Sequence, residues 1–208
     1  MAFSTDSTDT NLLLDEIAAG DSFALARLLE SHRAYLKQVA EMRIEPGLAA
    51  RVDASDIVQE TQIVIANRIN DFIKRRPTTL RLWMRQKLLE QLIDQRRRHV
   101  GAQKRSILRE QHVSSVSSIA IARKLFSNTP SRILRRIEMQ EQVSKLVEQL
   151  GDNDREILTL RHAEGLTNVE IADLLGIDPD TARKRHGRAL RRMHRLLQEN
   201  NIGLDGQE

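Results

Sequence analysis

The sequence has no cysteine and little glycine, proline or aromatic residue. Its 208 residues include 9 Gly, 4 Pro and only 3% aromatic residues. Without Cys there is no disulfide framework and no thiolate metal site, which is typical of a protein of the reducing cytoplasm. The scarcity of Gly and Pro favours helix over sheet, because these residues destabilise helix interiors most. The composition therefore predicts an all-α fold.

Long apolar runs are also missing. Apolar runs such as those at 12–14 and 63–66 fall far short of the length that a membrane-spanning helix needs. The first eleven residues contain two Asp and no basic residue, unlike the positively charged start of a signal peptide. We expect a cytoplasmic protein that does not associate with a membrane.

Charge is distributed unevenly along the chain, although its net value is only +4. Residues 1–72 contain six Lys/Arg and twelve Asp/Glu. Residues 73–110 contain twelve Lys/Arg and three Asp/Glu. Seven further basic residues lie between Arg183 and Arg195, where no acidic residue occurs. A solvated helix face usually carries interspersed acids, so two basic blocks favour binding to a polyanion such as nucleic acid.

Three amphipathic helices are predicted in residues 10–100, which we expect to form a three-helix-type bundle. Asp21 can cap the first and Asp53 the second, and the third begins near Leu80. Pro46-Gly47 and Pro77 separate them. Their apolar stripes include Phe23, Leu28, Leu36, Ile57, Ile65, Phe72, Leu80, Trp83, Met84, Leu88 and Leu92.

A second helical module is predicted in residues 130–200. Between the modules, residues 101–129 contain a Ser-rich stretch and little apolar sequence, which indicates a flexible linker. Thr129-Pro130 resembles a helix start, and Gly151 ends that helix near Leu150. One of the residues 152–154 is expected to cap the next helix, which ends near Gly165.

Residues 166–197 have the pattern of a helix-turn-helix. Thr167 and Glu170 fit a capping box, Gly176 can end the short helix that follows, and Asp178 can cap a longer second helix. A short helix, a tight turn and a longer helix match the arrangement that reads a DNA major groove. The small or apolar residues expected to face inward are Ala172, Ala182, Leu190, Met193, Leu196 and Leu197.

The second helix of this motif also carries the acid-free basic block. An Arg near its N-terminal end can reach guanine edges or phosphates. The alternative is an ordinary helical hairpin with a charged face, but the caps, the small residues, the turn length and the unbroken positive charge together favour DNA binding. The expected DNA contacts are Thr181, Arg183, Lys184, Arg185, Arg188, Arg191 and Arg192.

Both halves of the chain resemble the extracytoplasmic-function (ECF) branch of the sigma-70 family. The stretch 149–193 resembles region four, which implies that the contacts above bind a −35 promoter element. DASDIVQET at 53–61 resembles the region-two helix that docks on RNA polymerase β′, which implies a core-binding role for Asp56, Gln59 and Glu60. The alternative for Asp56 is no more than a favourable charge in a first helical turn, and docking is the favoured interpretation.

The stretch 80–99 resembles the part of region two that engages a melted −10 element. The resemblance implies DNA contacts from Trp83, Arg85, Arg96, Arg97 and Arg98. Trp83 also lies on an apolar stripe, so a core position and base stacking both stay open.

The resemblance implies a sigma factor that directs core RNA polymerase to promoters. Its partners would be the β′ and β subunits of polymerase, promoter DNA and, in addition, an anti-sigma factor. We expect no enzymatic activity, no cofactor and no metal, because the sequence has no nucleophile elbow, no Gly-rich phosphate loop and no paired metal-ligand spacing. Two alternatives are a homodimeric helix-turn-helix regulator and a DNA-processing enzyme such as a recombinase.

Overall fold

The computed structural model describes residues 6–44, 52–100, 133–200 and 202, including all of their side chains except those of 99, 100 and 133–140. Every regular element in these ranges is helical, which confirms the all-α prediction there. They fall into two compact units, one on each side of the undescribed residues 101–132. The predicted linker, the helix start at Thr129-Pro130 and the break at Pro46-Gly47 lie outside the described residues. The module limits at 10, 100, 130 and 200 stay predictions.

The described residues of the N-terminal unit form four helices: α1 (Thr8–Ala18), α2 (Ser22–Arg43), α3 (Ala54–Arg75) and α4 (Leu80–Val100). Sequence patterns predicted the last three but not α1. The expected caps are present. Asp21 Oδ1 accepts a hydrogen bond from Phe23 N at 2.8 Å, and Asp53 Oδ1 accepts one from Ser55 N at 2.7 Å. Local cap chemistry therefore sets where α2 and α3 begin.

The apolar stripes of the four helices pack into one core. Complete burial of a large apolar side chain stabilises the fold by about 1.5–3 kcal/mol each. The fully buried members include Leu14, Leu28, Leu36, Ile57, Ile65, Leu80, Met84 and Leu88. Phe23, predicted to belong to this stripe, is 80% exposed. It precedes the buried Ala24 by one residue, about 100° around the helix, so it points away from the core.

Polar contacts attach α1 to the junction between α3 and α4. Arg76, which ends α3, is the one non-glycine residue in the described ranges with a left-handed backbone (φ 37°). Its guanidinium donates to Asn11 Oδ1 at 2.8 Å and contacts Asp15 Oδ1 at 3.5 Å. The Asp6 carboxylate accepts a hydrogen bond from Leu80 N at 2.8 Å. These contacts hold α1 beside the junction between α3 and α4. Leu14 of α1 is buried.

The C-terminal unit contains α5 (Ile133–Gln149), α6 (Asp152–Leu158), a π-helical turn (Thr159–Ala163), α7 (Asn168–Leu175) and α8 (Pro179–Glu199). The prediction that a residue from 152–154 caps α6 is wrong. Gly151 occupies the cap position and α6 begins at Asp152, so Asp152 and Asp154 lie in the first turn, where a negative charge interacts favourably with the helix dipole.

No helix in the described ranges is both long enough and apolar enough to cross a lipid bilayer.

Candidate nucleic-acid interface

Local capping chemistry builds the helix-turn-helix as the sequence predicted. Thr167 Oγ1 accepts a hydrogen bond from Glu170 N at 3.2 Å, and the Glu170 carboxylate accepts one from Thr167 N at 2.8 Å. Gly176 adopts the left-handed conformation (φ 63°) that ends α7. Asp178 Oδ1 then accepts a hydrogen bond from Thr181 N at 2.8 Å and caps α8. The Thr181 hydroxyl also donates a hydrogen bond to the Asp178 carboxylate. The bonds from this hydroxyl and from the Thr181 amide lower the pKa of the Asp178 carboxyl.

Small side chains let α7 and α8 approach each other. Ala172 on α7 is 2% exposed, and Ala182 and Ala189 on α8 are fully buried. Met193 and Leu197 continue the inner face of α8, as predicted. Leu190 was expected there but is 38% exposed, because Ala189 and Met193, four residues apart, define the buried line and Leu190 lies beside it.

The outer face of α8 carries an unbroken set of basic side chains. The exposed members are Arg183, Lys184, Arg188, Arg191, Arg192 and Arg195, and Arg185 is half-buried. Thr181 lies at the start of the same helix and is also half-buried. The Arg183 guanidinium is 3.0 Å from the Asp180 carboxylate one turn earlier, an exposed pair that costs little to separate. Six exposed cations on one helix form a surface complementary to a phosphate backbone.

Arg192 differs from the other cations because it has a partner on another helix. Its Nη1 donates a hydrogen bond to the carboxylate of Asp154, in the first turn of α6. The Asp154 side chain is 11% exposed and that of Arg192 is 59% exposed. Arg192 therefore contributes to packing within the unit, a role that the sequence did not indicate.

Two histidines that the sequence analysis did not single out as a pair meet on this unit. His162 of the π-helical turn and His186 of α8 place their Nε2 atoms 2.9 Å apart, and both rings are half-buried. Burial lowers the pKa of both imidazoles, and the positive charge of Arg161 lowers them further. The Arg161 guanidinium itself donates to the Leu166 carbonyl at 2.8 Å. Because the two histidines are 24 residues apart, no local pattern could have revealed their contact.

On the N-terminal unit, the three residues predicted to bind polymerase occupy one end of α3. Asp56 and Gln59 are exposed, and Glu60 is half-buried and accepts a hydrogen bond from Gln95 Nε2 of α4 at 2.8 Å. Ile63, one turn beyond Gln59, is 62% exposed although it is large and apolar. An acidic and an apolar group thus share an uncovered helix face, a combination that suits a partner with both basic and apolar side chains.

The residues predicted to contact a −10 element fall into two groups. Trp83 is 7% exposed, with its ring centroid 4.8 Å from that of Phe72, so it belongs to the core. Arg85 is 4% exposed. In this conformation neither side chain is accessible to a nucleic acid. Arg96 is half-buried, and Arg97 and Arg98 are exposed at the end of α4.

Comparison with known proteins finds a family match within the C-terminal unit. Residues 140–193 match the family described as sigma-70, region 4. The ECF RNA polymerase sigma factor ShbA of Streptomyces griseus subsp. griseus is 42% identical over 55 residues, which are 26% of this chain and 29% of ShbA. The match thus spans less than a third of that relative.

A solved structure extends the likeness to most of the chain. The structure of CnrH in complex with the cytosolic domain of CnrY has a TM-score of 0.55 and covers 92% of this chain and 98% of that one. The two sequences are 22% identical, so this likeness concerns the fold.

Proposed function

We propose that this chain, a member of the sigma-70 family, is an ECF sigma factor that directs core RNA polymerase to specific promoters. The observation that carries the proposal is the capped helix-turn-helix within residues 140–193, the stretch that matches region 4, with a basic face on α8 that has no acidic residue between Arg183 and Arg195. The likeness of the fold to CnrH over 92% of the chain supports the extension to both units.

In this function α8 enters the major groove of a −35 element. Its first half, with Thr181, Arg183, Lys184, Arg185 and Arg188, supplies contacts to base edges, because the N-terminal part of a recognition helix lies deepest in the groove. Arg191, in the second half, reaches phosphates. Arg192 contributes its charge to the same region while its guanidinium stays bonded to Asp154.

The N-terminal unit binds core polymerase, and Asp56 and Gln59 form the contact, with Ile63 as its apolar part. Glu60 lies beside this face and accepts a hydrogen bond from Gln95 of α4, which orients its carboxylate. Single-stranded −10 DNA is bound by the basic end of α4, at Arg96, Arg97 and Arg98. The base-stacking role that the resemblance implied for Trp83 is not part of the proposal, because the Trp83 ring is packed against Phe72.

Polymerase supplies the chemistry, and the sigma factor itself catalyses no reaction. The β′ and β subunits of core polymerase are the expected protein partners in the cytoplasm. An anti-sigma factor is a further partner: the related fold of CnrH was solved with the cytosolic domain of another protein, CnrY. No cofactor is required for any of these interactions.

In vitro transcription with core polymerase from the source bacterium, on a library of genomic promoter fragments, tests this function. We expect transcripts from a limited set of promoters that share a −35 sequence, and only when the chain is added. The variant Arg183→Ala/Lys184→Ala/Arg188→Ala should lose these transcripts, whereas Lys37→Ala, which removes an exposed base of α2, should keep them. Sequence-specific binding by a homodimer, with no promoter-dependent transcript, would instead establish a conventional regulator.

A further inference from the structure

A glycine lies near the middle of α8, where this residue type is unfavourable. The helix runs from Pro179 to Glu199, and Gly187 is its one glycine. Apart from proline, glycine destabilises the interior of a helix more than any other residue does. Two features of a folded chain commonly require a glycine: a backbone conformation that other residues avoid, and a neighbour too close to admit a side chain.

Neither feature is present at Gly187 in the described part of the chain. Its backbone is that of a right-handed helix, whereas the glycines with positive φ there are Gly20, Gly165 and Gly176. Apart from the backbone of its own helix and its chain neighbours, a Cβ atom at Gly187 would have only Arg191 Nη1 within 4 Å, at 3.7 Å. That is an ordinary van der Waals contact with the end of a flexible side chain, so the folded unit has room for a methyl group here.

Gly187 faces away from the core of its unit. The buried line of α8 contains Ala182 and Ala189, both fully buried. Gly187 follows Ala182 by five residues and precedes Ala189 by two, which places it about 140–160° around the helix axis from both. It therefore lies on the outer face of α8, the face proposed to enter the major groove.

Exposed side chains surround this glycine. Arg183 and Lys184 lie one turn before it, and Leu190 and Arg191 lie one turn after it. The result is a patch of bare backbone with three cations and one partly exposed apolar group at its rim. The long cationic side chains can reach phosphates or base edges on either side, while nothing projects from the centre. This shape suits a surface that approaches closely in the middle and is anionic at its edges, as the groove of a DNA duplex is.

We propose that Gly187 is a specificity-determining position, because its missing side chain lets the backbone of α8 lie close to the base edges; this rests on the promoter binding proposed above. A helix with its side chains is about 10–12 Å across and a major groove is about 12 Å wide, so the side chains that face the floor limit how deeply the helix enters. A side chain at position 187 holds α8 further out and lengthens the base contacts of its neighbours. Contacts to phosphates adapt, because long flexible side chains make them.

The proposal predicts that stability and specific affinity change in opposite directions. Gly187→Ala should raise the midpoint of thermal unfolding by about 2–8 °C, because alanine is the best helix former. The same variant should weaken binding to the cognate −35 duplex at least about tenfold, the effect of one displaced base contact. Binding to a duplex of unrelated sequence should change less than about twofold, because phosphate contacts dominate it.

Thermal melts and fluorescence anisotropy titrations of the full chain test these effects. The two duplexes are the sequence that the wild type selects from a random pool and a scrambled version of it. Gly187→Leu should weaken cognate binding more than Gly187→Ala does, because its side chain is larger. Gln198→Ala is the control: Gln198 is exposed on the same face of α8, eleven residues and about 17 Å further along, and its removal should leave both affinities unchanged.

Each outcome decides between a base-contact role and its alternatives. Equal cognate affinity of Gly187→Ala and the wild type would overturn this inference, while the sequence preference of the wild type would leave promoter binding in place. A loss of the same size on both duplexes, or a lower midpoint of unfolding, would assign Gly187 a structural role and would also overturn it. If the wild type selects no sequence, the proposed promoter binding fails and this inference fails with it.

Discussion

Asp154 accepts a hydrogen bond from the Arg192 guanidinium, and this pair connects the first turn of α6 to the later half of α8. The carboxylate is largely shielded from water, whereas the guanidinium is more than half exposed. Removal of the cation would therefore leave a shielded carboxylate without its charged partner, and that costs more than the loss of an exposed pair. The same residue that looks like a phosphate contact in the sequence helps to hold α8 in place.

The first prediction is that Arg192→Ala lowers the free energy of unfolding by about 1 kcal/mol, a value reduced from that of a buried pair because Arg192 is exposed. Arg191→Ala should leave the free energy of unfolding almost unchanged, because the side chain of Arg191, which precedes Arg192, is exposed. Urea denaturation of the full chain, followed by circular dichroism, measures both. Equal costs for Arg191 and Arg192 would show that the Asp154 contact contributes nothing.

The second prediction concerns Trp83. It is the one Trp of the chain, so intrinsic Trp fluorescence reports on its surroundings alone. We expect blue-shifted emission that iodide hardly quenches, because the ring packs against Phe72. Trp83→Ala should cost about 3–5 kcal/mol of stability, and Trp83→Phe clearly less. Emission at the wavelength of free Trp with full iodide quenching would place the ring outside the core.

The third prediction is a pH dependence of stability that comes from His162 and His186. Their pKa values are lowered in the folded state, so the unfolded chain binds more protons as the pH falls. The stabilisation is complete above the unfolded value of about 6.5 and is lost as the pH decreases below it. Thermal melts between pH 8 and pH 5, in a buffer that contains a chelator, should show this loss.

The variant His162→Gln/His186→Gln should reduce the loss of stability between pH 8 and pH 5. His194→Gln should retain the loss seen in the wild type, because His194 is exposed on the same helix. An identical pH dependence in the double variant and the wild type would assign the effect to other groups.

Features determined by neighbouring residues could be predicted from the sequence. Asp21, Asp53, Thr167 and Asp178 cap the helices expected of them, because a cap needs only a side chain two or three residues from the amides it binds. Gly176 ends α7 for an equally local reason, since it has no Cβ to oppose a left-handed conformation. The helix-turn-helix follows from these short-range effects.

Features that depend on tertiary packing could not be predicted. Leu190 and Phe23 fit apolar stripes, but both are exposed. Each residue of a helix is rotated by about 100° from the one before it, so a residue next to the buried line is partly or largely exposed. The Asp154–Arg192 pair joins residues 38 positions apart, and the His162–His186 pair joins residues 24 positions apart. Such contacts depend on how α6, the π-helical turn and α8 pack, which no local pattern specifies.

The fourth prediction tests the face of α3 that carries Asp56. Asp56→Lys should weaken binding to core polymerase about tenfold or more, because an acid that faces a basic partner is replaced by a repelling charge. Asp71→Lys makes the same charge change on the same helix, 15 residues and about 22 Å further along, and should leave binding unchanged. Pull-down of core polymerase at graded salt concentrations, with helicity checked by circular dichroism, compares the two. Equal binding by Asp56→Lys and the wild type would remove this face from the contact.

The fifth prediction separates base contacts from phosphate contacts on α8. Arg183 and Arg188 are exposed in the half of the helix that enters the groove, and Arg191 is exposed in the half that leaves it. Arg183→Ala or Arg188→Ala should cost about 1–3 kcal/mol on the cognate −35 duplex and relax the preference at one base pair. Arg191→Ala should weaken binding to all sequences alike and lower the salt dependence by about one ion.

Binding of the full chain to the −35 duplex and to its single-base variants, across a salt series, measures these effects. Arg192→Ala provides an internal comparison. Because its guanidinium is bonded to Asp154, its removal should change the salt dependence less than the removal of Arg191 does. If Arg183→Ala and Arg188→Ala both lose affinity uniformly, with no change of base preference, then α8 binds phosphates only. Promoter choice would in that case depend on contacts made elsewhere in the chain.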